Sequence, residues 1–261
     1  MTNHPLIPTP EESLLLAVAS RTASQVDPVT DRRKKEYNTL TRYCSDWRRV
    51  MQLAGRQKLE AFMYRFAEDY ALGDLSPKDA MGVMRERYGF SQAMYLKKSL
   101  ELLDVLAALG MEGIRPVVLK GIPLARMLYT DPAVRVSRDI DLLCREDELD
   151  RVERVLFGAG YTRYKGKLSH EEYRKHHYHF VYAKGQDMDS VVEVHWNVRR
   201  DFKGPRIDTA PLIDEAVTVE IDGRPVSALK PVHALWHLGV NLSNNNFLDL
   251  RDLGDLRRLG R

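Results

Sequence analysis

Long apolar runs are missing from this chain. None approaches the roughly 20 residues that a membrane-spanning helix requires, so no membrane partner is expected. Cysteine is scarce as well. Cys44 and Cys144 stand far apart and without metal-ligand spacing, which excludes a disulfide framework and points to a reduced, cytoplasmic protein. An excess of one charge is also missing. Forty Lys and Arg against 37 Asp and Glu leave +3, too little to argue for nucleic acid on charge alone. The short apolar run Leu14–Ala19 follows Glu11 and Glu12 rather than basic residues, so a secretory leader is not expected. Internal repeats and low-complexity tracts are absent. What remains, at 44% hydrophobic and 30% charged over 261 residues, is an ordinary globular composition for one large domain or two modest ones.

The order of patterns divides the chain. Residues 1–10 carry three prolines and are expected to form a flexible arm. Residues 11–110 read as helical. The charge run Asp31–Lys35 reads as a solvated helix start. Trp47, Val50, Met51 and Ala54 share one helical face, and Leu59, Phe62, Met63 and Phe66 share another. Ser76 and Pro77 suit a helix start. A helix over 95–109 places Leu96, Leu100 and Leu103 on one side, with Gly110 as its stop. The period then changes. Short β-branched runs at 115–119, 139–144, 178–183 and 191–196 read as strands, and 218–221 with 225–228 as a hairpin around Asp222-Gly223. Helical patterns at 122–129 and 146–157 lie between them. Residues 111–229 are thus expected to form a mixed core, and 230–261 to be helical again. The fold class is α+β: a small mixed β-sheet flanked by N-terminal and C-terminal helical regions.

Three elements of the mixed core carry chemistry. In Ser137-Arg-Asp-Ile-Asp-Leu-Leu143, strand alternation puts Asp139 and Asp141 on one face and Ile140 and Leu142 on the other. Like charges side by side repel, and a cation between them relieves this. Oxygen-only ligands suit Mg²⁺, or Mn²⁺. Salt bridges to nearby arginines are the alternative. The second element is the strand–Lys120-Gly121–helix turn. Glycine there lets a phosphate approach backbone N–H groups, and Lys120 adds positive charge. The third is Val191-Val-Glu-Val-His-Trp196. Glu193 sits among valines, a costly place for a carboxylate unless it is paired or binds metal. If the two strands are neighbours, three carboxylates converge, as two-metal phosphoryl transfer requires.

These residues carry a resemblance. Val118-Leu-Lys-Gly121, Tyr129-Thr-Asp-Pro132, Arg135, Asp139-Ile-Asp-Leu-Leu143, Gly160-Tyr161 and Val192-Glu-Val-His-Trp196 occur in an order that resembles a little-characterised bacterial nucleotidyltransferase family with a polymerase-β-like core. The resemblance runs from about Asp46 to about Asp252. It implies a Mg²⁺-dependent transfer of a nucleoside monophosphate from an NTP, with ATP the favoured donor, to a hydroxyl acceptor (small molecule, sugar or protein), releasing pyrophosphate. It makes 111–229 the nucleotidyltransferase core. It assigns Asp139, Asp141 and Glu193 as catalytic metal ligands. Lys120 and Gly121 match a phosphate-binding turn that the wider superfamily builds as Gly-Ser or Gly-Gly. Arg135 matches an arginine able to contact phosphate. Arg138 is a second candidate there, or a salt-bridge partner for the aspartates. A catalytically degenerate binding module and a tRNA-directed nucleotidyltransferase are the alternatives on the same fold. Arg32–Lys35 and Arg163–Lys167, with Tyr161, Tyr164 and Tyr173, suit the tRNA reading, and the small net charge disfavours it.

The histidines are read more plainly. His170, His176, His177 and His179 lack the accompanying cysteines or the H-E-x-x-H pattern of a zinc site. His195 shares a face with Glu193, and both His195 and His179 are candidates for the site wall. Trp196 falls on the opposite face, toward a core. His233 and His237, one helical turn apart, fit either a metal pair or a packed helix. Asn241 and Asn244–Asn246, near Asp249 and Asp252, fit either a polar pocket wall or a helix cap.

Overall fold

The sheet is built around one pairing that local pattern does not dictate: the strand carrying the two aspartates lies parallel to the strand carrying Glu193. The computed structural model describes residues 8–22, 31–72, 77–164, 170–185, 189–199, 207–244 and 249–260. Its elements are α1 (Pro10–Thr22), α2 (Asp31–Tyr43), α3 (Trp47–Arg56), α4 (Glu60–Asp69), α5 (Lys78–Met111), β1 (Val117–Val118), α6 (Ile122–Leu128), β2 (Asp139–Leu143), α7 (Leu149–Gly158), β3 (Thr162–Arg163), α8 (His170–His176), β4 (His179–Lys184), β5 (Ser190–His195), α9 (Ala210–Asp214), β6 (Val217–Ile221), β7 (Arg224–Ala228), α10 (Pro231–Asn244) and α11 (Leu250–Leu259). The expected arm falls mostly outside the described residues, as does the Ser76 cap. No helix among the described residues is long and apolar enough to cross a membrane.

Two compact units divide the chain. The first takes the residues up to Gln92 together with those from Leu242 onward. Its packing follows the helical stripes. Val50 and Ala54 of α3 are fully buried, and Leu59, Phe62, Met63 and Phe66 are buried around α4. Tyr37, Phe66 and Tyr70 form an aromatic cluster with centroids 4.7–5.0 Å apart. Each fully buried aliphatic or phenylalanine side chain here, such as Val50 or Phe62, contributes about 1.5–3 kcal/mol by leaving water. Asp46 caps α3 by accepting from the Arg49 N–H. Asp249 caps α11, accepting from Arg251 and Asp252, and Lys58 Nζ reaches its other oxygen at 2.5 Å. For Asp249 the cap is therefore the observed role.

The second unit, Ala93–Asn241, holds the sheet. Among the described residues it has seven strands in the order β3-β4-β5-β2-β1-β7-β6. β2 pairs in parallel with β5, and β1 in parallel with β7; the other pairings are antiparallel. The core lies on one face, where Ile140, Leu142, Val192, Val194, Phe180, Tyr182 and Trp196 pack with Leu102, Val105 and Leu109. Trp196 is buried as its face predicts, 4.8 Å from the Phe180 ring.

One helical stripe differs in part from expectation. Leu103 is buried as expected, but Leu96 and Leu100 are 57% and 53% exposed. The buried line of α5 runs instead through Lys98, Leu102, Val105 and Leu109. The apolar spacing fixes a helix, but the neighbouring elements choose which of its faces to cover. Lys98 is tolerated on the buried line because Glu101 neutralises it at 2.9 Å, and Tyr161 O–H donates to the same carboxylate at 2.9 Å.

Candidate active site

Alternation and register assemble the site. Ile140 and Leu142 enter the core, which turns Asp139 and Asp141 to the other face of β2. Across the parallel pairing, Asp141 stands opposite Glu193 and Leu143 opposite His195. Across the antiparallel pairing, His179 of β4 stands opposite His195. Glu193 therefore shares the aspartate face, between Val192 and Val194, which are fully buried on the other side.

Lys120 and His195 approach the acidic groups from two directions. Lys120 Nζ lies 3.4 Å from Asp139 Oδ2 and 3.2 Å from Asp141 Oδ2. His195 Nε2 lies 3.3 Å from Asp141 Oδ1 and 3.4 Å from Glu193 Oε2. Asp141 is 1% exposed, and neither of its carboxylate oxygens has a partner of proper hydrogen-bond geometry. The same is true of both ring nitrogens of His195. One donor atom each from Asp141, Glu193 and His195 falls within 4.8 Å of the others. Buried carboxylate oxygens left without hydrogen bonds, beside two further ligand-type groups, are what a divalent cation satisfies. The residues present fit such an ion.

Charge explains the protonation states. Burial alone would raise Asp141, but Lys120 and His195 outweigh it and hold the carboxyl below its usual value. At such a separation and an effective dielectric near 20, one opposite charge is worth roughly 4 kcal/mol, comparable to the several kcal/mol that burying an ion costs. Two neighbouring cations settle the balance. Burial likewise works against Glu193, yet the His195 contact and charge bring it down to about 2. Burial would lower Lys120, and Asp141, Asp139 and Glu193 together hold it well above its ordinary value. Burial would lower His195, but the contacts with Asp141 and Glu193 raise it. His179 goes the other way, to about 4, through burial and the adjacent His195 charge. Its ring sits 4.9 Å from that of His195.

The remaining expected residues are placed as follows. Gly121 has φ +74°, a backbone region that disfavours side chains, and an added Cβ would meet Ser137 at 3.5 Å. Arg135 is 1% exposed, so its guanidinium does not face solvent. Arg138 is exposed, and the cation found against the aspartates is Lys120. Ser137, just before β2 and not expected at the site, donates its hydroxyl to Asp139 Oδ1 at 2.8 Å. Its place two residues before Asp139 is the only sequence signal for it. His195 contacts Asp141 and Glu193 directly rather than only walling the site. His177 stacks on Tyr173, and His233 lies 3.8 Å from Glu215. Among the described residues, neither belongs to the cluster of ligand-type groups.

A family model described as an uncharacterised nucleotidyltransferase matches residues 43–261. No protein of curated function matches the chain. Three solved structures are similar. The antibiotic-resistance factor ANT(2'')-Ia in solution is 17% identical over 64% of this chain and 84% of that one, with a TM-score of 0.47. ANT(2'')-Ia in complex with adenylyl-2''-tobramycin is 17% identical over 62% and 87%, with a TM-score of 0.42. The lincosamide antibiotic adenylyltransferase LnuA, lincomycin-bound, is 14% identical over 61% and 94%, with a TM-score of 0.41.

Proposed function

This chain belongs to the uncharacterised nucleotidyltransferase family, and from that premise we propose that it transfers a nucleoside monophosphate from an NTP, with ATP the favoured donor, to a hydroxyl acceptor. The acceptor is a small molecule, sugar or protein side chain. The acceptor hydroxyl gives up its proton to solvent beside the carboxylates, its oxygen forms the new bond to the α-phosphorus, the bond to the α–β bridging oxygen breaks, and pyrophosphate leaves. The nucleotidyltransferase core is 111–229, a span supported by every described strand lying between Val117 and Ala228.

The observation that carries this reading is Asp141 opposite Glu193 across β2 and β5, with Asp139 on the same face and Lys120 against both aspartates. A Mg²⁺ or Mn²⁺ ion bound by Asp139, Asp141 and Glu193 would supply charge neutralisation and an activated acceptor oxygen. The chain's own groups do the rest. Lys120, 22% exposed at its side chain, offers a fixed positive charge to a phosphate oxygen. Gly121 leaves the backbone bare where a phosphate approaches. Arg138 reaches solvent and can meet the outer phosphates. Arg135, the other candidate for phosphate, is buried in the loop before β2 and would need that loop to open to reach one. Ser137 fixes the Asp139 carboxylate, and His179 and His195 wall the site.

Calorimetry with each NTP and Mg²⁺ tests the proposal, followed by pyrophosphate release against a panel of alcohols, sugars and proteins. Ion-dependent binding of at least one NTP is expected, and its loss in Asp141→Asn with native circular dichroism. A folded protein that binds no NTP with either ion present overturns it.

A further inference from the structure

The groups that meet at this site are not the three carboxylates alone. Asp141, Glu193 and His195 bring donor atoms within 4.8 Å of one another, whereas Asp139 is taken up by two other partners, Ser137 at 2.8 Å and Lys120 at 3.4 Å. Lys120 lies on the Asp139 side of Asp141, against Oδ2, and His195 lies against Oδ1. A divalent cation and an ammonium 3.2 Å from the same carboxylate would compete if they sought the same oxygen. Here the two oxygens are divided, one toward each side.

We propose that the nucleotide-free protein binds one divalent cation through Asp141, Glu193 and the His195 imidazole, the ion displacing the ring's second proton to solvent, that this mixed nitrogen–oxygen site prefers Mn²⁺ to Mg²⁺, and that the Lys120 ammonium serves as the fixed cation on the Asp139 side. The inference rests on the functional reading above and changes one donor: before nucleotide binds, His195 takes the place given there to Asp139. Mg²⁺ takes oxygen donors and dehydrates reluctantly. An imidazole nitrogen in the donor set moves affinity up the divalent series toward Mn²⁺ and beyond. Asp141 supplies the independent sign of a ligand. It is 1% exposed, and both its oxygens lack hydrogen bonds of proper geometry. The nitrogens of the buried His195 ring are in the same condition.

The test uses chelator-stripped full-length protein without nucleotide. Mn²⁺ is titrated and counted by electron paramagnetic resonance, Mg²⁺ is then added as competitor, and electron spin-echo modulation reads directly bound nitrogen. One Mn²⁺ per chain is expected, with nitrogen modulation and an affinity about tenfold or more above that for Mg²⁺. His195→Gln should lose the modulation and weaken Mn²⁺ by at least the roughly tenfold that loss of a mere supporting partner costs. His179→Gln should keep the modulation, since the His179 ring lies beside His195 rather than among the three donors. Mn²⁺ bound without nitrogen modulation in the unmodified protein overturns the inference, and that result does not depend on any variant folding. Modulation that persists in His195→Gln also overturns it, as does a second Mn²⁺ of equal affinity. If no divalent ion binds with or without NTP, this inference and the functional reading fall together. If NTP and Mg²⁺ bind normally while Mn²⁺ shows no nitrogen, only this inference falls.

Discussion

Lys120 is the residue on which the acidic cluster balances. Asp139 and Asp141 are like charges on neighbouring strand positions, and a sequence reading leaves their repulsion to an ion. The structure puts an ammonium against both, so the metal-free protein is already partly neutralised. Lys120→Met should therefore destabilise the metal-free chain. Breaking a buried pair costs about 3–5 kcal/mol, and the partial exposure of Lys120 places the expected loss near the low end, about 3 kcal/mol. Urea denaturation in the presence of chelator measures it. An unchanged midpoint would mean that His195 alone satisfies Asp141. Gly121 illustrates the complementary lesson at this scale. A phosphate's close approach is one reason for glycine there, and the positive φ gives a local reason as well.

Among the elements, α5 separates what spacing determines from what it does not. The leucine spacing identified a helix, and the helix is there. Leu103 of the expected stripe is buried, but the covered face turns toward Lys98, which the spacing treats as a surface residue and which its contact with Glu101 makes compatible with burial. Leu102→Ala should cost about 2–5 kcal/mol, the usual range for a leucine removed from a packed core. Leu100→Gln, at an exposed position, should change stability by no more than about 0.5 kcal/mol. Denaturant midpoints of the two variants compare them directly, and an equal loss in both would contradict the orientation of α5. Strands were legible for a different reason. β2 and β5 alternate so regularly that each assigns its own faces, and Ile140, Leu142, Val192 and Val194 all enter the core as their positions require. β3 was not legible, because two residues, Thr162 and Arg163, carry no periodicity.

At the level of the whole molecule, the two cysteines report on the two compact units separately. Cys44 belongs to the first and Cys144 to the second, and both are buried free thiols. Burial, aided by the Glu11 charge, pushes the Cys44 thiol up to about 11, and burial pushes Cys144 up further. Thiolate, the reactive form, is thus rare in the folded chain at neutral pH. Alkylation followed by mass spectrometry should leave both thiols unlabelled in native buffer and label both in denaturant. Their separate rates at low denaturant then give the opening of each unit, and rapid native labelling of Cys144 would show that the sheet core is not closed. By itself, the sequence determined the types of the longer elements and the face of the strand carboxylates Asp139, Asp141 and Glu193, because those follow from local backbone geometry repeated every two or every 3.6 residues. The motif resemblance added which carboxylates belong together. Only the tertiary structure decided that β5 lies against β2 with Asp141 opposite Glu193, that His195 bridges the two, and that Lys120 rather than Arg138 meets the aspartates. Register and neighbour choice depend on packing between segments far apart in the chain, and no local period encodes that.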